Sequence, residues 1–198
     1  MNTDELTKNM KVIKDHLKLS EQASELRNQY HEKIIEAINA KKVVYLENII
    51  DDTKEFCREL GLALEQTKRD FLAHREALDV KISLPDAEES FIGALLVFDL
   101  DVTTHGKLTQ FKVALRDKNI KDAGTAFVSD DEHNRVKETK GIAEIKAEMQ
   151  EKLIYWEKLE IKYLFYDLSK VRKDPMEKFR HEKVSFKEVL VEVIASCL

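Results

Sequence analysis

Apolar residues recur every three or four positions along the first eighty residues, which is the spacing of one face of an α-helix. Between residues 4 and 39 the chain has no Gly or Pro, and good helix formers dominate. A first run of apolar positions is Leu6, Met10, Ile13 and Leu17. A second run is Leu19, Ala23, Leu26, Tyr30 and Ile34. The slip between the runs, near residue 18, indicates a helix that wraps a globular bundle rather than one strict supercoil seam.

The helical spacing resumes after residues 39–42, whose sequence Asn-Ala-Lys-Lys indicates a turn. The apolar or small positions that repeat here are Leu46, Ile49, Thr53, Phe56, Leu60, Ala63, Thr67 and Phe71. Gly61 lies inside this pattern and costs about 1 kcal/mol relative to Ala in a helix. The burial of so long an apolar stripe would offset this cost. The pattern therefore predicts an antiparallel helical hairpin over residues 4–80.

Pro85 ends the helical section, because proline cannot donate a backbone hydrogen bond. The next segment, about residues 86–130, has a different texture. Residues 91–102 are apolar and β-branched, residues 103–106 indicate a turn, and residues 108–115 indicate a partner strand, with residues 124–128 as a possible third. The spacing of Leu108, Phe111 and Leu115 also fits a helix, so both interpretations stay open. We expect a small mixed or β insert.

Residues 137–173 return to a helical pattern, with apolar side chains on two faces. A helix of this kind needs cover on two sides, within the domain or in an oligomer. Asp174 and Pro175 break it, and residues 184–198 form a short apolar terminal helix. The fold class predicted is mainly α. It is a single domain over residues 1–198, an antiparallel hairpin or bundle of long helices with a small insert.

Composition and charge exclude several classes of protein. The chain is 43% hydrophobic and its net charge is −5, which argues against disorder and against bulk attraction to nucleic acid or anionic lipid. Two cysteines, Cys57 and Cys197, make neither a disulfide framework nor a zinc motif. The longest apolar run, residues 91–98, is too short to span a bilayer. We expect a cytoplasmic protein without a membrane span, cofactor or metal.

The strongest local motif is the apolar stretch that ends in Asp99-Leu100-Asp101-Val102-Thr103. It resembles the first motif of the haloacid dehalogenase superfamily of phosphohydrolases. The resemblance implies Mg²⁺-dependent chemistry with Asp99 as nucleophile, Asp101 as acid/base and Thr103 as a supporting hydroxyl. Val102 stands where that family usually has Gly. The interpretation we prefer is an ordinary solvated strand end, because the sequence offers no strands to complete a parallel sheet.

For two charged clusters, an ordinary structural explanation also competes with ligand binding. Residues 130–133 (Asp-Asp-Glu-His) could bind a divalent cation, but an acidic start to the next helix is the better interpretation. Residues 170–183 hold six basic and three acidic side chains. A solvated face explains them better than a phosphate site. The motifs GxxxxGK[ST], GxGxxG and GxSxG are absent from the sequence.

Aromatic residues concentrate between positions 154 and 166. We predict that Trp156, Tyr163, Phe165 and Tyr166 lie on a helix and bind a partner, since aromatics with polar tips are enriched at interfaces. The predicted function is a non-enzymatic helical interaction, scaffold or adaptor protein that self-associates. Its partner is a protein or a second copy, not nucleic acid. The alternative is a Mg²⁺-dependent phosphohydrolase that uses Asp99 and Asp101.

Overall fold

The computed structural model of the chain describes residues 3–86, 94–118, 141–170 and 181–198. The chain divides into two compact units. The first comprises residues 1–38 and 129–158, and the second comprises residues 39–128 and 159–198. Two long helical stretches contribute to the first unit, and a sheet with two helical stretches builds the second. The predicted bundle of long helices is therefore wrong.

Helix α1 runs without interruption over Thr3–Leu60, so the predicted turn at residues 39–42 does not exist. Nothing in those four residues forces a turn, because none is Gly or Pro. Two of them are used instead within the second unit. Lys41 Nζ donates to the carbonyl of Leu159 at 3.3 Å, and Lys42 is buried. The helical hairpin over residues 4–80 is replaced by one helix followed by strands.

Gly61 ends α1 instead of lying inside it. Its φ of +65° falls in the left-handed region, where glycine is favoured. The amide of Leu62 donates to the carbonyl of Cys57 at 2.8 Å, and the amide of Gly61 to that of Arg58 at 3.4 Å. This pair of bonds is the Schellman pattern, which satisfies carbonyls at a helix end. Gly61, which the predicted helix contained at an energetic cost, is thus the residue that ends α1.

Seven antiparallel strands form one sheet in which spatial order equals chain order. The strands are β1 (Ala63–Gln66), β2 (Asp70–Arg75), β3 (Leu78–Ser83), β4 (Leu96–Thr104), β5 (Lys107–Asp117), β6 (Ile161–Asp167) and β7 (His181–Lys183). Such a meander needs only short connections between neighbours. The connections are two or three residues long between β1 and β2, β2 and β3, and β4 and β5, and longer elsewhere. The longest, between β5 and β6, contains helix α2 (Ile142–Lys158).

Strands β2 and β3 lie where the sequence predicted helix. Their apolar positions alternate with the period of two of a strand, but some of these positions also fit the helical spacing of three or four. Phe71 and Ala73 are buried, and the intervening Leu72 is exposed. In β3, Val80 and Ile82 are buried in the same way. This alternation marks a sheet with one covered face.

The β4–β5 hairpin agrees with the strands expected near residues 91–102 and 108–115. Its register pairs Leu96 with Leu115 and Thr104 with Lys107. The loop is His105-Gly106, with φ of +49° and +78°. Two consecutive positive φ values are typical of a type I′ turn, whose twist matches that of paired strands. The predicted strand at residues 124–128 lies outside the described residues.

The predicted helix over residues 137–173 is also too long. Helix α2 ends at Lys158, and β6 follows over Ile161–Asp167. Its sequence, Ile-Lys-Tyr-Leu-Phe-Tyr-Asp, is rich in the aromatic and β-branched residues that suit strands. A continuous apolar run fits a buried helix and a buried strand equally well. A single 3₁₀ turn, Leu168–Lys170, follows β6.

The short terminal helix was predicted correctly. Helix α3 spans Phe186–Cys197, and its N-cap Ser185 accepts a hydrogen bond from the amide of Glu188. One face of α3 is buried, namely Phe186, Val189, Leu190, Val193 and Ile194. The Phe186 ring meets that of Phe98 on β4 at 5.4 Å between centroids. The core of the second unit therefore lies between the sheet, α3 and the last part of α1, where Ile49 and Phe56 are buried.

Candidate interaction surface

The first turns of α1 carry apolar side chains that nothing in the described chain covers. Every residue from 6 to 22 is exposed. Leu6, Met10, Ile13 and Leu17 keep between 48% and 60% of their surface in solvent. We refer to residues 6–19 as the α1 segment and to those four side chains as its apolar stripe. Exposed apolar side chains are common singly, but a regular row along one helix face marks an interaction site.

Burial along α1 begins within the second apolar run. Leu19, its first member, is still 51% exposed, whereas Ala23, Leu26, Tyr30 and Ile34 are half-buried, as expected for a face that packs within its unit. The apolar stripe lies before them and remains open. The sequence therefore identified both runs, but it assigned the first to the core of a bundle that does not form.

The α1 segment is basic although the chain is acidic. Residues 6–19 contain Lys8, Lys11, Lys14 and Lys18 against one acidic residue, Asp15, a net charge of +3, and Asp4, Glu5 and Glu21 flank them on the two sides. Since the whole chain carries −5, all other residues together carry −8. Exposed apolar residues and lysines thus coincide in one short helical stretch.

The four aromatic residues predicted to bind a partner lie on two different elements, α2 and β6. Tyr163, Phe165 and Tyr166 lie on β6, not on a helix, and Tyr163 and Phe165 are 2% and 4% exposed. Trp156 lies on α2, half-buried, with the Tyr155 ring edge-on at 5.5 Å. Tyr166 is half-buried. Partner binding by these residues stays a prediction, and for two of them the aromatic ring is core.

Tyr163 lies in the core of the second unit, close to polar side chains. Its ring meets Tyr45 of α1 at 6.5 Å and Phe186 of α3 at 6.1 Å. Burial raises the pKa of its hydroxyl, and the nearby Asp52 carboxylate raises that pKa further, because both disfavour a phenolate. Tyr163 therefore stays neutral and joins α1, β6 and α3, which is a structural role.

Asp99 and Asp101 lie in the middle of β4 and point to the solvent side of an antiparallel sheet. Lys112 on β5 forms a 2.5 Å ion pair with Asp99. Asp101 accepts a 3.3 Å hydrogen bond from Gln110 Nε2. The haloacid dehalogenase motif places its aspartates at the carboxyl end of a strand in a parallel sheet. Among the described strands β4 pairs antiparallel with both of its neighbours, β3 and β5, and cross-strand pairing explains both carboxylates.

The second unit has an open cavity of about 640 Å³ at one end of β5, β6 and α3. Its lining residues include Lys107, Gln110, Asp167, Ser169 and Cys197. Asp167 accepts hydrogen bonds from the amide and hydroxyl of Ser169, at 2.9 and 2.6 Å. No histidine lies among these lining residues, and the bonds between Asp167 and Ser169 join residues two positions apart, as in a local turn of the chain.

The described residues contain no arrangement of side chains suited to metal binding or to thiol chemistry. Within them, no group of three or more His, Cys, Asp or Glu side chains could hold a metal ion. Cys57 is buried, which raises the pKa of its thiol and makes it a weak nucleophile. The acidic cluster at residues 130–133 lies outside the described residues, as does most of the basic run at 170–183. Its Lys183 pairs with Glu192 of α3.

Among the described residues, the helices contain no apolar stretch of the length that spans a bilayer. Comparison of the chain with protein-family models, with curated proteins and with solved structures finds no match. The function of the chain is therefore inferred from its own side chains.

Proposed function

We propose that this chain is a non-enzymatic interaction protein whose docking element is the α1 segment. The observation that carries the proposal is the exposure of the apolar stripe, 48–60% per side chain, over a stretch in which every residue is exposed. A helical segment whose apolar side chains are exposed in the described part of the chain gains little burial from folding alone. Contact with another surface would supply the missing burial.

The described polar side chains support a non-enzymatic function. The two carboxylates considered for catalysis, Asp99 and Asp101, are each engaged by a neighbour on β5. The cavity beside β5 has no histidine among its lining residues, and its carboxylate, Asp167, is engaged by the amide and hydroxyl of Ser169.

The length of the stripe argues for an occupant other than a second copy. Helix pairs need apolar positions sustained over about three to four heptads. After Leu17 the same register continues with Ser20 and Ser24, which are polar. We therefore propose that the α1 segment docks on a different, anionic surface, to which its lysines are complementary. Self-association through other surfaces stays a prediction.

The test is site-specific photo-crosslinking in cells. The photoreactive residue benzoylphenylalanine replaces Ile13 in the apolar stripe or, as a matched control, Asp15. At 100° per residue Asp15 lies roughly opposite the stripe on the same helix. We expect adducts from position 13 and few from position 15, and the change Leu17→Asn should remove the adducts from position 13.

Benzophenone reacts with C–H bonds of proteins and lipids alike, so this readout does not depend on which occupant is present. Adducts of equal yield from the two positions would contradict the proposal, as would their absence from position 13. Adducts that join two copies of the chain would overturn the argument against self-pairing.

A further inference from the structure

We infer that the surface on which the α1 segment docks is an anionic lipid membrane. This inference rests on the proposed docking role and adds the chemistry of the occupant. The segment would lie flat, with its apolar stripe among the acyl chains and its lysines at the headgroups. Such a helix needs an apolar row, a basic polar face and low overall hydrophobicity.

The angular positions of the side chains suit this arrangement. With 3.6 residues per turn, the apolar stripe falls within an arc of about 60°. Lys11, Lys14 and Lys18 fall within a second arc of about 60°, whose centre is roughly 100° from that of the stripe. Lysines on the flank of an apolar row can lay their methylene stems along the interface and extend their ammonium groups to phosphates.

The residue types favour lipid over a protein groove. Protein interfaces are enriched in aromatic residues and Arg and depleted in Lys. Residues 6–19 contain four Lys and no Arg, Phe, Tyr or Trp. Lysine-rich amphipathic helices with aliphatic anchors are instead typical of membrane surfaces.

The distribution of charge along the chain determines which part would bind anionic lipid. The α1 segment carries +3 and is attracted to anionic lipid, whereas the remaining −8 is repelled. The net charge of the whole chain, which alone argues against lipid, thus hides a local basic stretch. Attraction acts within a Debye length of the surface, about 8 Å at physiological salt, so only residues close to the membrane contribute.

The experiment measures co-sedimentation of the full chain with vesicles. One set contains phosphatidylcholine with 30–40% phosphatidylserine (about that fraction, so that the surface potential approaches that of a cytoplasmic leaflet), and the other contains phosphatidylcholine alone. We expect binding to the first set, weaker binding to the second, and a fall in binding as salt is raised.

Two pairs of variants make the measurement specific to the α1 segment. Lys11→Gln with Lys18→Gln should weaken partitioning by about 25-fold, at about fivefold per lysine near the surface. The control is Lys81→Gln with Lys107→Gln, which changes the net charge equally on exposed strand positions and should change partitioning little. Ile13→Asn should abolish binding. Its control, Leu108→Asn, alters a leucine of equal exposure, 55%, and should not.

The outcomes separate this inference from the proposed function. Absence of vesicle binding, together with protein adducts from position 13, would overturn the lipid surface and leave the docking element intact. Absence of both would overturn the two together. Equal loss of binding in the test and control lysine pairs would also contradict the inference, because bulk charge would then explain the attraction.

Discussion

The backbone amide of Lys187 donates a 3.0 Å hydrogen bond to Asp52 Oδ2, so a carboxylate of α1 caps the first turn of α3. Residues 135 positions apart in the chain are joined by this bond. Lys187 Nζ adds ion pairs to Glu55 at 3.0 Å and Glu59 at 2.8 Å, one and two turns further along α1. The first amides of a helix have no partner within it, and negative charge is favoured there.

We expect Asp52→Ala to lower the free energy of unfolding by about 1–2 kcal/mol, the usual cost of losing a helix-capping side chain. Urea unfolding at neutral pH measures the effect. Asp51→Ala is the matched control, because Asp51 is the exposed neighbour on the same helix and should change stability little. Equal losses in the two variants would show that the bond to Lys187 contributes nothing special.

Gly61→Ala should destabilise the chain by about 1–2 kcal/mol, because an L-residue is disfavoured at the observed φ of +65°. A Cβ there would meet only Arg75 Nη1, at 3.4 Å, so the cost comes from the backbone rather than from a clash. The control is Gly141→Ala. A Cβ at that glycine meets nothing within 4 Å, and we expect nearly unchanged stability. Thermal unfolding of both variants decides whether Gly61 is needed as the helix stop.

Two leucine-to-alanine changes in helices should differ sharply. Leu190 on α3 is 1% exposed, and Leu190→Ala should cost about 2–5 kcal/mol through lost burial and the cavity left behind. Leu17 on the apolar stripe is 60% exposed, and Leu17→Ala should stay within about 0.5 kcal/mol of the parent chain. Chemical denaturation measures both. A large loss with Leu17→Ala would mean that the stripe packs inside the protein.

Glu192 gives the fold a dependence on pH. Its carboxylate pairs with Lys183 Nζ and lies 2.7 Å from His181 Nδ1, so it ties the edge strand β7 to α3. The hydrogen bond from Lys183 is the largest cause that lowers the pKa of Glu192, and His181 lowers it further. The folded state therefore favours the ionised carboxylate.

Because that pKa is lowered in the folded state, its contribution is complete above the ordinary glutamate pKa, about 4.3. It disappears as the pH falls through the lowered value. We expect Glu192→Gln to cost under about 1 kcal/mol at pH 7, since the pair is partly exposed, and nothing at strongly acidic pH. Urea unfolding across that range measures this. Glu65→Gln, on exposed β1, should show no such dependence, and a similar curve for both variants would contradict the assignment.

How much of the fold the sequence could predict depended on whether one periodicity was unambiguous. Residues 184–198 were predicted as a helix because they form a short apolar stretch after the break at Asp174 and Pro175. Residues 108–115 were predicted as a partner strand after a turn at residues 103–106, although their spacing left a helix open. Residues 161–167 and 71–80 were mistaken for helix, since their apolar positions satisfy both periods and only pairing with a neighbouring strand decides between them.

The candidate site, too, could be predicted from the sequence only in part. The spacing of Leu6, Met10, Ile13 and Leu17 was apparent from the sequence, but exposure is a property of what packs nearby. Since the predicted hairpin does not form, these four side chains stay exposed in the part of the chain that the structure describes. The four lysines among these residues were equally visible, and they would have indicated a docking face had charge been counted over short windows.

The longest connection of the meander joins β5 to β6, and its two ends are hydrogen-bonded to each other. Asp117 pairs with Ile161, and the amide of Lys118 donates to the carbonyl of Glu160 at 2.8 Å. Strands β5 and β6 therefore keep their register up to the residues at which the chain leaves and re-enters the sheet, although α2 lies between them in the sequence. A base closed by the sheet's own hydrogen bonds is where a sheet tolerates an inserted stretch of chain without loss of its pairing.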